Sequence, residues 1–417
     1  MQELSELKVL MQRHIFGNDI ANTFNPYSRT VFDRLRRCHT IHMGVHQYRC
    51  DDKACGHIHH QYHSCGDRHC PHCGGTKRDA WVDDRMSELL PIKYYHVVFT
   101  LPSELRSLVM GNRKVMFDLL FESAHYTLLT LGRDPKWLGG QLGIISILHT
   151  HGQELSFHPH IHCIVSGGGI DKDGRWQTNK RAGDSFLFPR RVMEQMYKAY
   201  FLRRVMQMLG DGDLLFEGID VSTAIDAVRY KKWNVYAKAP FAGPAQIIEY
   251  LGRYTHKVAI TAHRIKEITD QTITFKYKDY ADKSKVKEMT LSHTEFARRF
   301  EQHILPHRYV KIRHSGFLSH RGKTARLERL HQQMNLPPPM PKVSISTALR
   351  VWIKTGVDIT ICPVCKRGKL IYEKTMVMYK GTLRDITTLH NRGSPRVIPN
   401  YPQISPEYSG DIDPPFR

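Results

Sequence analysis

The sequence lacks any run of about 18 apolar residues, and its first residues lack the basic start and apolar core of a secretory signal. We therefore expect no transmembrane helix and no export from the cell. The chain also has no internal repeat. These absences exclude a membrane-spanning protein and a secreted protein as classes, and they predict a protein that lies in a reducing cytosol.

Acidic residues are few relative to basic residues. The chain of 417 residues has 40 Asp and Glu against 61 Lys and Arg, which gives a formal net charge of +21 at pH 7. Such a surplus predicts a polyanionic partner, and nucleic acid is the first candidate. An anionic membrane surface is the competing interpretation, but no long basic amphipathic helix supports it.

Nine cysteines in a cytosolic chain indicate metal binding rather than disulfides. Two pairs, Cys50 with Cys55 and Cys70 with Cys73, are each followed by a glycine that permits a tight turn. Thiolates at such spacings can surround one tetrahedral zinc ion, and a site with four protein ligands is structural. We predict these four cysteines as zinc ligands, with Cys65 as a fifth candidate. Three histidines could substitute for a cysteine or build a second site: His57, His69 and His72.

Two further cysteines lie near the carboxyl terminus, in the segment Cys362-Pro-Val-Cys365 that follows the proline-rich linker 335–341. The spacing is that of half a zinc knuckle. It could pair with Cys65 and a histidine, dimerise around a metal ion, or hold no metal. The last ~25 residues contain many prolines and few core-forming residues, so we expect them to be extended or disordered.

A histidine pair interrupts a β-rich segment at His160-Ile161-His162. Successive side chains of a strand point to opposite faces, so the two imidazoles share one face and form half of a binding shell for a divalent metal. The preceding segment 143–149 is also predicted as a strand. If the two strands form a hairpin, a third ligand comes from late in the first strand, and the candidates are His149, His151, Gln153 and, locally, His158.

A second chemical signal lies in the segment 241–260, where Pro244 suits the first turn of a helix. Tyr250 and Tyr254 are four residues apart, so both hydroxyls lie on one face of that helix. Arg253 and Lys257 make its surroundings basic. A second basic run, residues 291–330, is predicted to be helical and interleaves aromatic with basic side chains, as single-strand binding requires. Together these two segments supply our candidate DNA contacts: Arg253, Lys257, Arg308, Lys311 and Arg313.

Phosphodiester transesterification would use the paired histidines, the tyrosines and the positive charge together. A tyrosine oxygen can attack a DNA phosphorus, which forms a 5′-phosphotyrosine and releases a 3′-hydroxyl. A phenol with a pKa near ~10 is a weak nucleophile at neutral pH. A divalent ion that polarises the phosphate supplies the missing activation. Two tyrosines would allow one strand to stay covalently held while a second is cut.

His160-Ile161-His162 combined with Tyr250-Leu-Gly-Arg-Tyr254 resembles the two-tyrosine HUH endonucleases. More narrowly, the chain is similar to rolling-circle insertion-sequence transposases with an N-terminal zinc-binding domain. The resemblance implies an α+β fold with a central antiparallel sheet flanked by helices, and catalytic Mg or Mn beside structural Zn. It also implies binding of single-stranded DNA at element ends, hairpins and target, in the bacterial cytoplasm at the nucleoid. On the same ground, Gln153 is the favoured third metal ligand.

The resemblance and the composition divide the chain into four parts: a helical, zinc-binding domain at 1–90, an HUH catalytic domain at 91–285, a basic helical DNA-binding extension at 286–335, and a linker, Cys-x-x-Cys segment and tail at 336–417. Two other functions remain open. One is a rolling-circle replication initiator or relaxase, against which the zinc domain and the lack of a helicase segment speak. The other is a zinc-dependent DNA-binding protein without catalysis. The order in which Tyr250 and Tyr254 act is also open.

Overall fold

The structure is a computed structural model and describes residues 2–86, 88–178, 187–215, 220–238, 246, 259–339 and 345–387. The chain forms two compact units. The larger contains Met1–Cys38 and Ser64–Asp358, and the smaller contains His39–His63 and Ile359–Arg417. No helix in these described ranges combines the length and apolar character that crossing a bilayer requires.

Helices and strands are interspersed along the described part of the chain. The helices are α1 (Gln2–Leu10), α2 (Pro26–Arg37), α3 (Gly75–Met86), α4 (Arg106–Gly111), α5 (Arg113–Arg133), α6 (Arg190–Gly210), α7 (Val221–Arg229), α8 (His293–Glu301), α9 (Lys323–Gln333) and α10 (Thr347–Thr355). The strands are β1 (Val45–Cys50), β2 (Ile58–Tyr62), β3 (Tyr94–Thr100), β4 (Gln141–His151), β5 (Phe157–Ile170), β6 (Trp176–Thr178), β7 (Val235–Lys238), β8 (Ile265–Ile268), β9 (Thr272–Asp279), β10 (Lys285–Ser292), β11 (Ile312–Gly316), β12 (Leu370–Tyr379) and β13 (Thr382–Asp385).

The larger unit is built around a six-stranded sheet in the order β11-β4-β5-β3-β7, with β6 paired to β5. All these pairings are antiparallel. The predicted α+β fold with a central antiparallel sheet is therefore confirmed. The predicted hairpin between the two strands of the histidine region is confirmed as well, since β4 pairs directly with β5. Strand β5, which carries the two histidines, lies in the interior of the sheet.

The two faces of β5 have different roles because its side chains alternate. Ile161, Cys163 and Val165 belong to the large apolar core, together with residues of α5 and α6 that pack on that face. The sequence predicts a helix over 190–209 with its apolar side chains in the core: Met193, Met196, Phe201, Val205 and Met208. The structure confirms the helix as α6, with four of these residues buried and Met196 partly buried. The opposite face of β5 carries His160 and His162.

A second layer of the larger unit combines α1, α2 and α8 with the three-stranded sheet β10-β9-β8. Its core is rich in phenylalanine, and Phe32 and Phe300 meet edge to face with centroids 5.8 Å apart. The sequence predicts a hairpin of the segments 265–269 and 272–277 around Asp270-Gln271, and the pairing of β8 with β9 confirms it. Asn25-Pro26 predicts a break before a second helix. The break is found, because the Asn25 side chain accepts a hydrogen bond from the Ser28 amide and caps α2.

The basic segment 291–330 is only partly helical, which corrects the prediction of a helical extension. Helices α8 and α9 lie in it, but β11 lies between them and pairs with β4 at the edge of the central sheet. Neither face of this short strand is purely apolar, since its sequence is Ile-Arg-His-Ser-Gly. The period-2 signal is therefore absent, and only pairing with β4 makes the segment a strand.

The smaller unit contains the four-stranded sheet β13-β12-β1-β2. Strand β1 pairs with β12, so Cys50 lies opposite Leu370. This pairing corrects the expected division of the chain, in which β1 and β2 belonged with the rest of residues 1–90, and β12 and β13 lay in a linker and tail. Because strand pairing joins segments about 320 residues apart, local periodicity could not reveal it. The last ~25 residues, predicted to be disordered, lie outside the described residues.

Candidate metal centres and active site

Three histidines meet on one face of the β4–β5 hairpin. His149 lies directly opposite His160 in the strand register, and His162 follows on the same face of β5. Directly opposed residues of an antiparallel pair have Cβ atoms about 5 Å apart, close enough for their side chains to share a ligand. One ring nitrogen from each of the three histidines lies within 4.8 Å of the other two. The hairpin thus assembles a three-imidazole cluster, which we call the histidine cluster.

The third member of the histidine cluster is His149, one of the alternatives to the favoured ligand Gln153. The Gln153 side-chain oxygen lies 3.5 Å from the backbone nitrogen of Lys278. The backbone carbonyl of Gln153 accepts a hydrogen bond from the Arg264 guanidinium. An irregularity in the β4–β5 register after His149 and the turn that follows carry Gln153 away from the cluster. The other candidates, His151 and His158, are neighbours of the cluster, with ring centroids 5.8 Å from His149 and 5.2 Å from His160 respectively.

Hydrogen bonds at Nδ1 of His160 and of His162 determine which ring nitrogen faces the cluster. His160 Nδ1 lies 2.6 Å from the His158 carbonyl oxygen, so this nitrogen carries the proton and donates it. His162 Nδ1 lies 2.8 Å from Nε2 of His96, on the neighbouring strand β3. Such outer bonds fix the tautomer and the orientation of a metal-binding imidazole. With Nδ1 engaged in this way, Nε2 of His160 and of His162 would be the ligand atoms toward a metal ion.

Burial keeps the histidine cluster uncharged. It lowers the pKa of His160 to about 4 and holds the pKa values of His149 and His162 well below their ordinary range, with mutual repulsion of the rings adding to the effect. At neutral pH all three rings are therefore in the form that binds metal. Three neutral imidazoles fit a divalent first-row transition ion better than they fit Mg²⁺, which prefers oxygen ligands.

His96 lies in the β-rich segment 94–101, which the sequence predicts as a strand and which the structure contains as β3. The sequence motifs do not reveal its contact with His162, through which we expect it to act as a positioning residue. We expect His96→Ala to weaken Mn²⁺ binding by the histidine cluster about 10–100-fold, because the rear hydrogen bond to His162 is lost. Titration of free Mn²⁺ by electron paramagnetic resonance measures this affinity. His125→Ala is the matched control, since His125 is a partly buried histidine bonded to Ser146 rather than to the cluster. Equal affinities of the two variants would contradict the role of His96.

The candidate DNA contacts differ in exposure. Arg308 is exposed, but Lys311 is buried, and burial lowers the pKa of its amine to about 7 with the Arg68 charge adding to the effect. Arg313 pairs with Asp118 and lies over the ring of Phe121, 4.2 Å from its centroid. The structure thus places the predicted DNA contact Lys311 in the interior, and it gives the predicted contact Arg313 an internal partner. Four other predicted site residues lie outside the described residues: Tyr250, Tyr254, Arg253 and Lys257.

The predicted zinc ligands separate into two clusters of four cysteines, which corrects their assignment to one ion. The first cluster joins Cys65, Cys70 and Cys73 with Cys38. The Sγ atoms of Cys65 and Cys73 lie 3.5 Å apart, and those of Cys38 and Cys70 lie 3.7 Å apart. A tetrahedral zinc ion with Zn–S bonds of about 2.3 Å requires thiolates about 3.8 Å apart, so this donor set fits zinc. The only sequence signal for Cys38 is a solitary cysteine directly after α2.

The second cluster joins Cys50 and Cys55 with Cys362 and Cys365. The Sγ atoms of Cys50 and Cys365 lie 3.6 Å apart, and those of Cys55 and Cys362 lie 3.9 Å apart. The carboxyl-terminal pair therefore does not join Cys65 and a histidine, which was one of the pairings open from the sequence. Within the smaller unit, Cys362 and Cys365 complete a set of four thiols with Cys50 and Cys55.

Comparisons with known proteins point to one class. Residues 143–325 match a family model described as "Putative transposase", and residues 11–101 match a model described as "Transposase zinc-binding domain", of the IS91 type. The "Putative transposase y4qJ" of Sinorhizobium fredii is 37% identical over 355 residues, which cover 82% of this chain and 88% of the relative. The transposase for insertion sequence element IS801 of Pseudomonas savastanoi pv. phaseolicola is 29% identical over 346 residues, 81% of this chain and 82% of the relative. No solved structure matches.

The class is therefore transposase, a DNA-binding protein with nuclease and strand-transfer activity. Within that class, the chain belongs to the insertion-sequence transposases of the IS91 and IS801 type that carry a zinc-binding domain. The first cysteine cluster lies wholly inside the stretch that matches this domain. The histidine cluster lies inside the stretch that matches the transposase model.

Proposed function

We propose that this transposase nicks and joins single-stranded DNA by metal-dependent tyrosine transesterification during rolling-circle transposition, as an HUH endonuclease. The observation that carries the proposal is the histidine cluster. It consists of three neutral imidazoles on a central hairpin, one buried and two largely buried, and two of the rings are oriented by hydrogen bonds from their Nδ1 side. A purely structural histidine trio would not require that the rings present nitrogens within 4.8 Å of one another.

The chemistry assigns separate tasks to the residues of the chain. Tyr250 or Tyr254 attacks the scissile phosphorus through its phenolic oxygen, and its proton passes to water. The phosphorus–O3′ bond breaks, the 3′-oxygen leaves as a hydroxyl, and the 5′ end stays on the tyrosine. A divalent ion held by the histidine cluster would polarise the scissile phosphate. Attack of a 3′-hydroxyl on the phosphotyrosine then restores a phosphodiester and frees the tyrosine, so joining requires no ATP.

The donor set also bears on metal preference. Because all three cluster ligands are imidazole nitrogens, Mn²⁺ should support cleavage at lower concentrations than Mg²⁺ does. Basic side chains hold the substrate, with exposed Arg308 and the predicted contacts Arg253 and Lys257 as the candidates. Single-stranded element ends, hairpins and target DNA are the proposed substrates, in keeping with the net charge of +21.

The test is a covalent-adduct assay with labelled single-stranded DNA that carries element-end sequence. Wild-type protein with Mn²⁺ is expected to give a protease-sensitive adduct, which EDTA removes. Tyr250→Phe and Tyr254→Phe should each still form part of the wild-type amount of adduct. The double variant should form no adduct. Tyr236→Phe is the matched control, because this half-exposed tyrosine of β7 has no assigned role.

Two results would count against the proposal. One is an adduct that persists in the double tyrosine variant, because the nucleophile would then be another residue. The other is firm, salt-sensitive DNA binding without any adduct in either metal, which would support a zinc-dependent DNA-binding protein without catalysis.

A further inference from the structure

We infer that Cys50, Cys55, Cys362 and Cys365 hold a second structural zinc ion, which closes the smaller unit by joining segments more than 300 residues apart. Cys362 and Cys365 lie beyond both stretches that match family models, 11–101 and 143–325. The second site shares no ligand with the first cysteine cluster. The inference is independent of the proposed tyrosine chemistry.

The four thiols are arranged as a zinc site requires. All four Sγ atoms lie within 4.8 Å of one another. The Sγ–Sγ distances of 3.6 Å and 3.9 Å lie on either side of the distance of about 3.8 Å between two thiolates of a tetrahedral zinc site. A disulfide would need sulfur atoms about 2.05 Å apart. The geometry therefore favours one ion among four thiolates over two disulfides.

Both cysteine pairs lie in tight turns built for ligand presentation. The Cys365 thiol accepts a hydrogen bond from the Gly368 amide at 3.3 Å, and the Lys366 amide donates to the Cys362 carbonyl at 3.0 Å. In the other turn, the Cys55 amide donates to the Asp52 carbonyl at 2.9 Å. Amide donors directed at sulfur stabilise the thiolate form, which is the form that binds metal.

Gly368 shows how closely the two segments approach at the site. A Cβ atom at this position would lie 2.4 Å from the Cys50 Sγ, so only glycine leaves room for that thiol. Two hydrogen bonds between the residues that follow Cys50 and Gly368 reinforce the contact. The Asp51 amide donates to the Lys369 carbonyl, and the Lys369 amide donates to the Asp51 side chain.

Among the described residues of the smaller unit, which end at residue 387, the apolar core around the thiols is too small to hold these segments by itself. The buried cluster around the thiols consists of Cys50, Cys362 and Leu370, and two of these three residues are the ligands themselves. Small units without a sufficient core depend on disulfides or structural metals. A structural zinc ion with four protein ligands contributes its binding free energy directly to folding, as in zinc-finger peptides that are unfolded without metal.

The test compares zinc content and local protection in the full-length protein, purified under reducing conditions. Relative to wild type, Cys362→Ser/Cys365→Ser is expected to lose about one zinc ion per chain. Trypsin should then cleave rapidly within 39–63 and 359–387, while the far-ultraviolet circular dichroism of the larger unit persists. With Co²⁺ in place of zinc, the sulfur-to-metal charge-transfer absorption should fall to about half, because one of two four-thiolate sites remains.

Two further variants keep the inference testable if serine disturbs folding. Cys365→His preserves a four-ligand set of three thiolates and one imidazole, so it should retain the zinc ion and the protection from trypsin. Cys163→Ala removes a buried cysteine outside both clusters and should leave the zinc content unchanged. Zinc content equal to wild type in Cys362→Ser/Cys365→Ser would overturn the inference. So would a wild-type protein in which all four thiols are oxidised to disulfides.

Discussion

Replacing His160 and His162 together with alanine is expected to reduce metal-dependent cleavage of single-stranded DNA by about 10³-fold or more. A bound divalent ion contributes several kcal/mol to the stabilisation of the charged transition state, and each 1.36 kcal/mol corresponds to a tenfold change in rate. Both side chains contribute a nitrogen to the histidine cluster. The measurement is the single-turnover rate of adduct formation over a range of Mn²⁺ concentrations.

The same assay distinguishes the two candidates for the third ligand. His149→Ala should raise the Mn²⁺ concentration required for half-maximal rate by about 10-fold or more, because a ligand is lost. Gln153→Ala should leave it nearly unchanged, since the Gln153 side chain faces Lys278. The opposite ranking would mean that the turn after β4 rearranges when metal and DNA bind.

Two controls separate metal loss from misfolding in this series. Zinc content should stay at the wild-type value in all the histidine variants, because neither cysteine cluster includes a member of the histidine cluster. Binding of single-stranded DNA at low salt should also persist, since it depends on basic side chains. Cleavage at the wild-type rate by the double histidine variant would contradict the assignment of the histidine cluster as the catalytic metal site.

Gly316→Ala is expected to destabilise the larger unit by about 4 kcal/mol or more, an effect at the upper end for single substitutions. Gly316 ends β11 with a φ of +64°, a left-handed conformation that alanine adopts at a cost of about 1–2 kcal/mol. A Cβ atom there would also lie 1.6 Å from the Leu142 carbonyl oxygen, which belongs to the backbone of β4. Backbone cannot move aside as a flexible side chain can, so β11 must separate from β4.

Gly174→Ala isolates the conformational part of that effect. Gly174 has a φ of +79° in an exposed turn, and a Cβ atom there would meet no atom within 4 Å. It should therefore cost about 1–2 kcal/mol, the conformational cost alone. Urea unfolding followed by circular dichroism gives the free energy of unfolding of both variants. Equal losses in the two variants would show that the contact between β11 and β4 is unimportant.

Displacement of β11 should also affect the histidine cluster. Strand β4 lies between β11 and β5, and it supplies His149. We therefore expect the fraction of Gly316→Ala that remains folded to bind Mn²⁺ more weakly than wild type. Gly174→Ala should bind it normally, because its turn lies outside the β4–β5 pairing that forms the cluster.

Sequence spacing by itself determined the features that depend on local geometry. The two-residue period of a strand places His160 and His162 on one face, whichever partners the strand has. The β-rich segment at 94–101, the helix at 190–209 and the break at Asn25-Pro26 follow from the same kind of local rule, and each is found in the structure. The cysteine content and the positive charge likewise indicated zinc and DNA before any fold was known.

Tertiary structure decided how distant segments are combined. Which cysteines share a cluster depends on the pairing of β1 with β12 and on the position of Cys38 after α2, and spacing within each motif contains neither fact. His149 rather than Gln153 joins His160 and His162 because the β4–β5 register, with its irregularity, determines which residues lie opposite each other. Lys311 is buried because β11 enters the central sheet. Local sequence specifies which face a side chain occupies, whereas only strand pairing and core packing specify what lies across from it.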